Sequence, residues 1–248
     1  MDDAEKLANH IETLAKQGKL VLASAKLPDE YFYSSLSLCV IDSVFSIGVR
    51  YQQVQAVVNR YCDYYNLNQD RRTPPPVAEQ ERRLESLVMR INQLGVQAFA
   101  EQVVKNRQRT STRNGILKAE AVKFFAESLI KNGIQTFQDA IEATRDPQKE
   151  RGIRKAIKSI PGQRSGISLQ YFSMLAGSDD FIKPDRMILR FVQPVLGRSV
   201  ALDEAQALLA ATVRFLNNSY PTLTPRLLDY ILWNYQRGAK EAKPCSPN

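Results

Sequence analysis

Apolar residues recur at helical spacing along almost the whole chain of 248 residues, and this periodicity constrains the fold more than any other feature. In residues 3–17, for example, Leu7, Ile11 and Leu14 fall on one face of a helix. No strand-like alternation of useful length interrupts the pattern, and no internal repeat is visible. The sequence therefore predicts an all-α fold.

Residues 34–46 are apolar on all sides, which is typical of a helix in the core. Cys39 lies in this segment and Cys62 in the next predicted helix, so we interpret both as small core residues. Consecutive prolines predict a loop at residues 72–76. Further helices are predicted at about 77–94, 96–105, 117–131, 136–144 and 147–158.

The few cysteine and histidine residues restrict the kinds of site. Cys39, Cys62 and Cys245 have the spacing of neither a zinc site nor an iron–sulfur site. His10 is the only histidine, and no serine or cysteine motif accompanies it, so we interpret it as a surface or packing residue. We therefore expect no metal and no organic cofactor.

The net charge of +8 favours a polyanionic partner, most simply nucleic acid. No apolar run approaches the roughly 18 residues of a membrane span. The N-terminus lacks the basic and apolar regions of a signal peptide. We expect a cytoplasmic protein, associated with the nucleoid if it is prokaryotic, and no membrane contact.

A basic segment runs from Lys105 to Gly115 and contains no acidic residue. Its arginines Arg107, Arg109 and Arg113 are candidates for contacts with DNA phosphates, because basic side chains displace counterions from the DNA backbone. A solvated polar loop has the same composition, so both interpretations stay open.

A helix, a Pro-Gly turn and a second helix are predicted around Pro161 and Gly162. The backbone N–H groups at the start of the second helix, with the positive end of its dipole, suit a DNA phosphate. Gly162 permits a positive φ and a close approach. An ordinary helix–helix turn is the alternative interpretation. The hairpin residues with a possible DNA contact are Gly162, Gln163, Arg164, Ser165 and Gly166.

Another helix is predicted to begin after Asp185. Pro184 disfavours helical geometry at Lys183 and so prepares a new helix start. An Asp at such a position is normally an N-cap that contributes about 1 kcal/mol. Apolar residues at helical spacing continue this helix as far as Gly197.

Taken together, residues 153–197 resemble the helix-hairpin-helix, Gly/Pro, Asp superfamily of DNA glycosylases. The hairpin of that family reads roughly Leu-Pro-Gly-Val-Gly and is followed by a helix, a loop and an Asp that opens the next helix. In this chain Asp185 matches that carboxylate, and its distance from Pro161 fits the family without a gap. The residues that match the hairpin are Ile160, Pro161, Gly162, Gln163 and Arg164.

The resemblance implies a two-lobed helical fold with a DNA-binding cleft, with one lobe formed by residues 1–30 and 198–248 and the other by residues 31–197. It also implies a monomeric enzyme that acts on double-stranded DNA. Such an enzyme flips a damaged or modified base out of the duplex and hydrolyses its N-glycosidic bond, which leaves an abasic site. Asp185 would then be the catalytic carboxylate.

The resemblance extends upstream more faintly. Residues 41–48 are similar to the buried helix that leads into the strand-wedging loop, and residues 117–121 to the Arg-Lys-Ala helix before the hairpin. The wedge-loop residues implied to contact DNA are Ile47, Gly48, Val49 and Arg50. Aromatic side chains can stack on a flipped base or belong to the core; the candidates are Tyr31, Phe32, Tyr33 and Tyr171.

The chain also departs from the family. Arg164 replaces the second hairpin glycine, and Ile47 and Gly48 stand where many members have a glutamine pair. Gly166 occupies the position of the catalytic lysine of lyase-type members, which implies a monofunctional enzyme. Cys245 is the only C-terminal cysteine, so no iron–sulfur cluster is expected.

Other functions fit the same residues. A non-catalytic DNA-binding protein would use the hairpin and the basic segment, and Asp185 would be only a cap. A helical protein-interaction scaffold would need neither the hairpin nor the positive charge. A glycosylase, in turn, acts either on damaged host DNA or on modified bases of invading phage DNA, and the sequence does not distinguish these substrates.

Overall fold

A computed structural model describes residues 2–70 and 83–241. These residues are largely helical and contain no β-strand, apart from isolated bridges that join Tyr33 to Asp70 and Arg109 to Leu117. The prediction of an all-α fold is confirmed for this part of the chain. The predicted proline loop at 72–76, the start of the helix predicted from residue 77, and Cys245 lie outside the described residues.

None of the described helices is long and apolar enough to cross a membrane. A 3₁₀ turn at Asp29–Tyr31 precedes α2, and a π-helical turn at Phe99–Val103 follows α5. The α-helices are α1 (Asp3–Lys16), α2 (Leu36–Phe45), α3 (Tyr51–Tyr65), α4 (Glu85–Leu94), α5 (Val96–Ala98), α6 (Lys118–Lys131), α7 (Phe137–Arg145), α8 (Pro147–Lys158), α9 (Ile167–Leu175), α10 (Arg186–Leu196), α11 (Leu202–Leu216) and α12 (Pro225–Glu241).

The chain divides into two compact units. A terminal unit comprises Met1–Leu27 and Asp179–Asn248, and a central unit comprises Pro28–Ser178. The division expected from the resemblance placed residues 179–197 with the central part of the chain. They belong to the terminal unit instead, because α10 packs against α1, α11 and α12.

The terminal unit is built from α1, α10, α11 and α12. α1 and α12 each pack against both α10 and α11. The helices direct their apolar faces inward, and the removal of this apolar surface from water is the main contribution to the stability of the unit. Core residues include Leu7, Ile11, Ile188, Val192, Leu209 and Leu228.

The central unit is organised around α2, all of whose residues are buried. α2 packs against α3, α6 and α9, which confirms the prediction of a central helix in this segment. Cys39 and Cys62 are both buried, as predicted. α8 packs on α6 and α7, and α9 packs on α2 and α7, so both helices of the predicted hairpin are anchored to the core.

Candidate functional site

The Pro-Gly hairpin has the predicted helix–turn–helix conformation. α8 ends at Lys158, and α9 begins after Gly166. Gly162 and Gly166 have φ angles of 84° and 77°, which favour glycine over residues with a Cβ atom. The backbone N–H of Gln163 donates to the Ile160 carbonyl at 2.9 Å, and the backbone N–H of Gly166 donates to the backbone carbonyl of Gln163 at 3.0 Å. These bonds close the turn and direct the chain into α9.

The hairpin residues differ in their access to solvent. Arg164, Ser165 and Gly162 are exposed, so they can meet a DNA backbone. Gln163 is only 2% exposed, and Gly166 is also buried, so the Gln163 side chain does not reach the surface in this structure. Its direction follows from the turn, which points position 163 toward the core and position 164 away from it.

A lysine that the sequence analysis did not single out lies beside the start of α9. The Cε atom of Lys158 is 3.7 Å from the point where a Cβ atom on Gly166 would stand. Lys158 is exposed, so it adds a positive charge to the backbone donors of the helix start. The sequence did contain a signal for Lys158, because basic residues are favoured in the last turn of a helix.

The basic segment is a closed loop. Its ends are joined by a bond from the Thr110 amide to the Ile116 carbonyl at 2.9 Å and one from the Lys118 amide to the Gln108 carbonyl at 2.8 Å. The three predicted contact residues, Arg107, Arg109 and Arg113, are all exposed.

Two of the three loop arginines have partners within the protein. Arg107 pairs with Glu101 at 3.4 Å, and Arg109 donates to the Gly115 carbonyl at 2.6 Å. The Arg107 pair is exposed and contributes little to stability, so it can open for another anion.

The loop and the hairpin touch at Gly162. A Cβ atom added to Gly162 would overlap the Cβ atom of Thr110. The glycine is therefore required by a neighbouring loop of the same unit as well as by its own positive φ. The contact brings together two segments that the sequence analysis predicted separately as DNA-binding.

The predicted wedge loop is held by Lys118, the first residue of α6. Lys118 is 4% exposed, and its Nζ donates to the carbonyls of Phe45 at 2.9 Å and Ile47 at 2.8 Å. These carbonyls lie at the C-terminal end of α2, where backbone acceptors lack partners and a positive charge is favourable. Burial lowers the pKa of Lys118 to about 8, which still leaves the amine largely protonated at neutral pH.

The remaining residues of the wedge loop connect Ile47 to α3. Gly48 turns the chain with a φ of 74°, and Arg50 precedes α3 as its N-cap. Gly48 and Arg50 are exposed, whereas Ile47 and Val49 are partly buried. Since Lys118 also closes the basic loop through its backbone, one residue connects the basic loop with the wedge loop.

Two of the three candidate stacking tyrosines share a buried carboxylate. The hydroxyl groups of Tyr33 and Tyr171 donate to Oδ2 of Asp42 at 2.8 and 3.2 Å, and all three residues are buried. Burial, and then the negative charge of Asp42, raises the pKa of both tyrosines well above the usual range. Tyr31 is partly buried. Asp42 was missed, although it is the one charged residue in the buried α2.

Asp185 is the N-cap of α10, as predicted. Its Oδ1 accepts the amides of Met187 at 2.7 Å and Ile188 at 3.3 Å. Among the residues that the structure describes, none donates a hydrogen bond to Oδ2. The side chain is partly buried, so one oxygen fixes the carboxylate and the other stays available.

Residues 179–184, here called the approach segment, are fastened to α11 and α12. The side-chain amide of Gln206 bonds to this segment twice. Its Nε2 donates to the Asp180 carbonyl at 2.7 Å, and its Oε1 accepts a hydrogen bond from the Ile182 backbone N–H at 2.9 Å. The backbone N–H of Arg226 donates to the Asp179 carbonyl at 3.0 Å. The segment thus delivers Asp185 to the start of α10 from a fixed direction.

Asp229 on α12 also binds the approach segment, and it is a second carboxyl group near Asp185. It is 5% exposed and accepts the backbone N–H of Lys183. Burial, and then the negative charge of Asp185, raises its pKa well above the ordinary 3.8, against the opposing effects of Lys183 and Arg226. Arg226 and Asp229 were missed in the sequence, although opposite charges three residues apart in an apolar helix are a visible signal.

The central unit therefore places exposed positive charge beside the start of α9, and the terminal unit holds a fixed carboxylate at the start of α10. Within the described ranges, no group of three or more His, Cys, Asp or Glu side chains is arranged to hold a metal ion.

Comparison with known proteins gave one match. No curated protein and no solved structure matches the chain. The model of a family described as a domain of unknown function, DUF8548, matches residues 8–237. Because the match covers most of the sequence, the chain belongs to the DUF8548 family.

Proposed function

We propose that the protein is a monofunctional DNA glycosylase of the helix-hairpin-helix, Gly/Pro, Asp type, which removes a damaged or modified base from double-stranded DNA. The observation that carries this proposal is the state of Asp185. Two backbone amides hold one carboxylate oxygen at the start of α10, and the other oxygen has no donor among the described residues. A cap alone needs only the first oxygen.

Cleavage of an N-glycosidic bond leaves positive charge on the sugar, so a fixed carboxylate stabilises the transition state. Water supplies the oxygen that bonds to the sugar carbon, and the base departs with the bonding electrons and takes up a proton. Asp185 stabilises the oxocarbenium-like sugar and can orient that water. The product is an abasic site, and the protein remains unmodified.

DNA binding is assigned to the central unit. The start of α9, Arg164 and Lys158 offer donors and charge to a phosphate, and the adjoining basic loop adds exposed arginines. Extrusion of a base costs a few kcal/mol. Phosphate contacts and insertion of the Ile47–Arg50 loop offset this cost.

The first prediction tests Asp185 with a panel of duplexes that contain damaged or modified bases. Wild-type protein should release a base from at least one of them. Asp185→Asn keeps the capping oxygen and removes the charge, so it should stay folded, bind the duplex and release almost no base. Asp146 offers a matched control, because it caps α8 through amides of Gln148 and Lys149 in the same way. Asp146→Asn should release base normally.

A second candidate function is DNA binding without chemistry, and the similarity between the caps of Asp185 and Asp146 favours it. In that case the wild-type protein binds duplexes and releases no base from any of them. Base release that survives in Asp185→Asn would likewise reduce this residue to a cap. The panel also separates damage-type bases from the modified bases of phage DNA, and so identifies the substrate.

A further inference from the structure

A buried acid on the last helix is not used in the chemistry described so far. Asp229 lies on α12, and its carboxyl group accepts the backbone N–H of Lys183, two residues before Asp185. The first turn of α12 also binds the approach segment, because the backbone N–H of Arg226 donates to the Asp179 carbonyl. The same helix thus holds the approach segment at both of its ends.

Three charged groups act on this carboxyl group. Asp185 approaches from the start of α10, Lys183 from the approach segment and Arg226 from α12 itself. Asp179 shares the charge of Arg226 through an ion pair at 3.8 Å. Arg226 is therefore shared between Asp179 and Asp229.

The environment of Asp229 favours the uncharged acid. Its Oδ1 is buried and has no hydrogen-bond partner among the described residues. A buried ionised oxygen without a donor is costly, and a second negative charge nearby increases that cost. Asp185, in contrast, is partly exposed and accepts two backbone N–H groups at the start of α10.

We propose that Asp229 is a positioning residue for Asp185: its neutral carboxyl group holds the Lys183 amide and fixes the entry to α10 without adding a second negative charge. This inference rests on the proposed function, because it assigns Asp229 a part in the same reaction. A hydrophobic residue would leave the Lys183 amide without its acceptor. An ionised residue would place a second carboxylate charge close to Asp185.

The first test needs no enzymatic activity and measures melting temperature against pH for wild type, Asp229→Asn, Asp185→Asn and the double variant. The neutral acid contributes stability that is fully present below pH 3.8 and is lost as pH rises through the raised pKa of the folded protein. Asp229→Asn cannot ionise, so its curve should diverge from that of wild type as pH rises. In the Asp185→Asn background the divergence should be smaller, because one cause of the raised pKa is gone.

Two results of this experiment would overturn the inference. One is a wild-type curve parallel to that of Asp229→Asn, which would mean that Asp229 is ionised in the fold. The other is an equal divergence in both backgrounds, which would mean that Asp229 and Asp185 are not coupled.

The second test measures kcat and KM for base release over a range of DNA concentrations from limiting to saturating. Asp229→Leu removes the acceptor for the Lys183 amide and should lower kcat roughly 10–100-fold with little change in KM, as expected for a misplaced catalytic group. Asp229→Asn keeps an acceptor oxygen and should rescue most of this loss. Asn234 is exposed on the same helix, and Asn234→Ala controls for general changes in α12.

The outcomes also separate the two proposals. If Asp229→Leu is folded and as fast as wild type, Asp229 does not position Asp185. If Asp229→Asn is as slow as Asp185→Asn, Asp229 acts as a charged group. If wild type releases no base from any duplex, the proposed function fails, and the melting curves alone decide the state of Asp229.

Discussion

Gly162 has two physical reasons to be a glycine, and they have different consequences for DNA binding. Its φ of 84° is unfavourable for other residues, and the place of its Cβ atom is filled by Thr110. A phosphate contact would be a third reason. Loss of DNA binding after substitution of Gly162 therefore does not by itself identify a phosphate contact, whereas the exposed Arg164 can be substituted without disturbing the turn.

At the residue scale we predict that Arg164→Ala weakens binding to all duplexes alike and leaves thermal stability nearly unchanged. It should reduce the salt dependence by roughly 0.9 in log K per log salt, which is the contribution of one phosphate contact. Gly162→Ala should instead destabilise the fold by more than about 1 kcal/mol. Salt-titrated affinities and melting curves measure both effects.

Arg214→Ala is the matched control for charge, because Arg214 is an exposed arginine on α11 of the terminal unit. It should leave the salt dependence unchanged. Equal affinity and an equal salt dependence for Arg164→Ala and wild type would remove Arg164 from the interface.

Sequence reasoning found the residues whose role depends on near neighbours. Asp185 and Gly162 follow from a proline, a turn and the helix that comes next. Asp229 and Lys118 depend instead on partners far away in the sequence, at Lys183 and at the end of α2. Local patterns show that both are charged residues in apolar surroundings, but not which groups they meet.

At the scale of elements, Lys118 joins the start of α6 to the end of α2. The last carbonyls of a helix have no partners within it, and a buried helix end needs donors from elsewhere. Here the donor is an amine that supplies hydrogen bonds and charge together. The exit from α2 and the wedge loop therefore have a fixed geometry.

We predict that Lys118→Met destabilises the protein by roughly 2–4 kcal/mol, since two buried carbonyls lose a charged donor. It should also weaken DNA binding, because the loop from Ile47 to Arg50 loses its anchor. Denaturant unfolding measures the first effect and duplex affinity the second. Lys131→Met, at an exposed position of the same helix, is the control.

This prediction has a pH dependence of defined sign. The pKa of Lys118 is about 8 in the folded protein and 10.5 ordinarily, so the unfolded chain binds more protons between these values. The linked stability is fully present above pH 10.5 and is lost as pH falls to about 8. The difference between wild type and Lys118→Met should therefore widen as pH rises through this range. A constant difference would contradict the shifted pKa.

The elements themselves were largely predictable, with an instructive exception. Residues 96–105 were predicted as one helix, whereas the structure has the short α5 followed by a π-helical turn. The guanidinium of Arg60 on α3 donates to the carbonyls of Val104 and Lys105 at 3.3 Å, where this turn ends. Periodicity cannot reveal such a contact between residues distant in the sequence.

At the scale of the whole molecule, the all-α class followed from periodicity, but the division into units did not. Residues 179–197 were expected with the central lobe because the resemblance runs continuously through them. Their packing partners are α1, α11 and α12, which the motif does not include. Packing between distant helices assigns a segment to a unit, and a linear motif contains no information about it.

The proposed reaction of the whole protein stops at the abasic site. Gly166 supplies no amine, so borohydride should trap no covalent protein–DNA adduct, and strands should break only after alkali or heat. Two lysines make this a demanding test: Lys158 lies beside Gly166, and Lys183 precedes Asp185. An efficient adduct would contradict the monofunctional assignment. Its loss in Lys158→Ala or Lys183→Ala would identify the nucleophile.

The approach segment also has a consequence for the order of biosynthesis. Ribosomes build a chain from its N-terminus at roughly 5–20 residues per second, and domains form as their sequences emerge. The central unit is continuous from Pro28 to Ser178, whereas the terminal unit needs both ends of the chain. Gln206, Arg226 and Asp229, which fasten the approach segment, all emerge after Asp185. A nascent chain, or one translated from a message cut before α12, therefore contains every proposed DNA-binding residue before the proposed catalytic carboxylate is held in place.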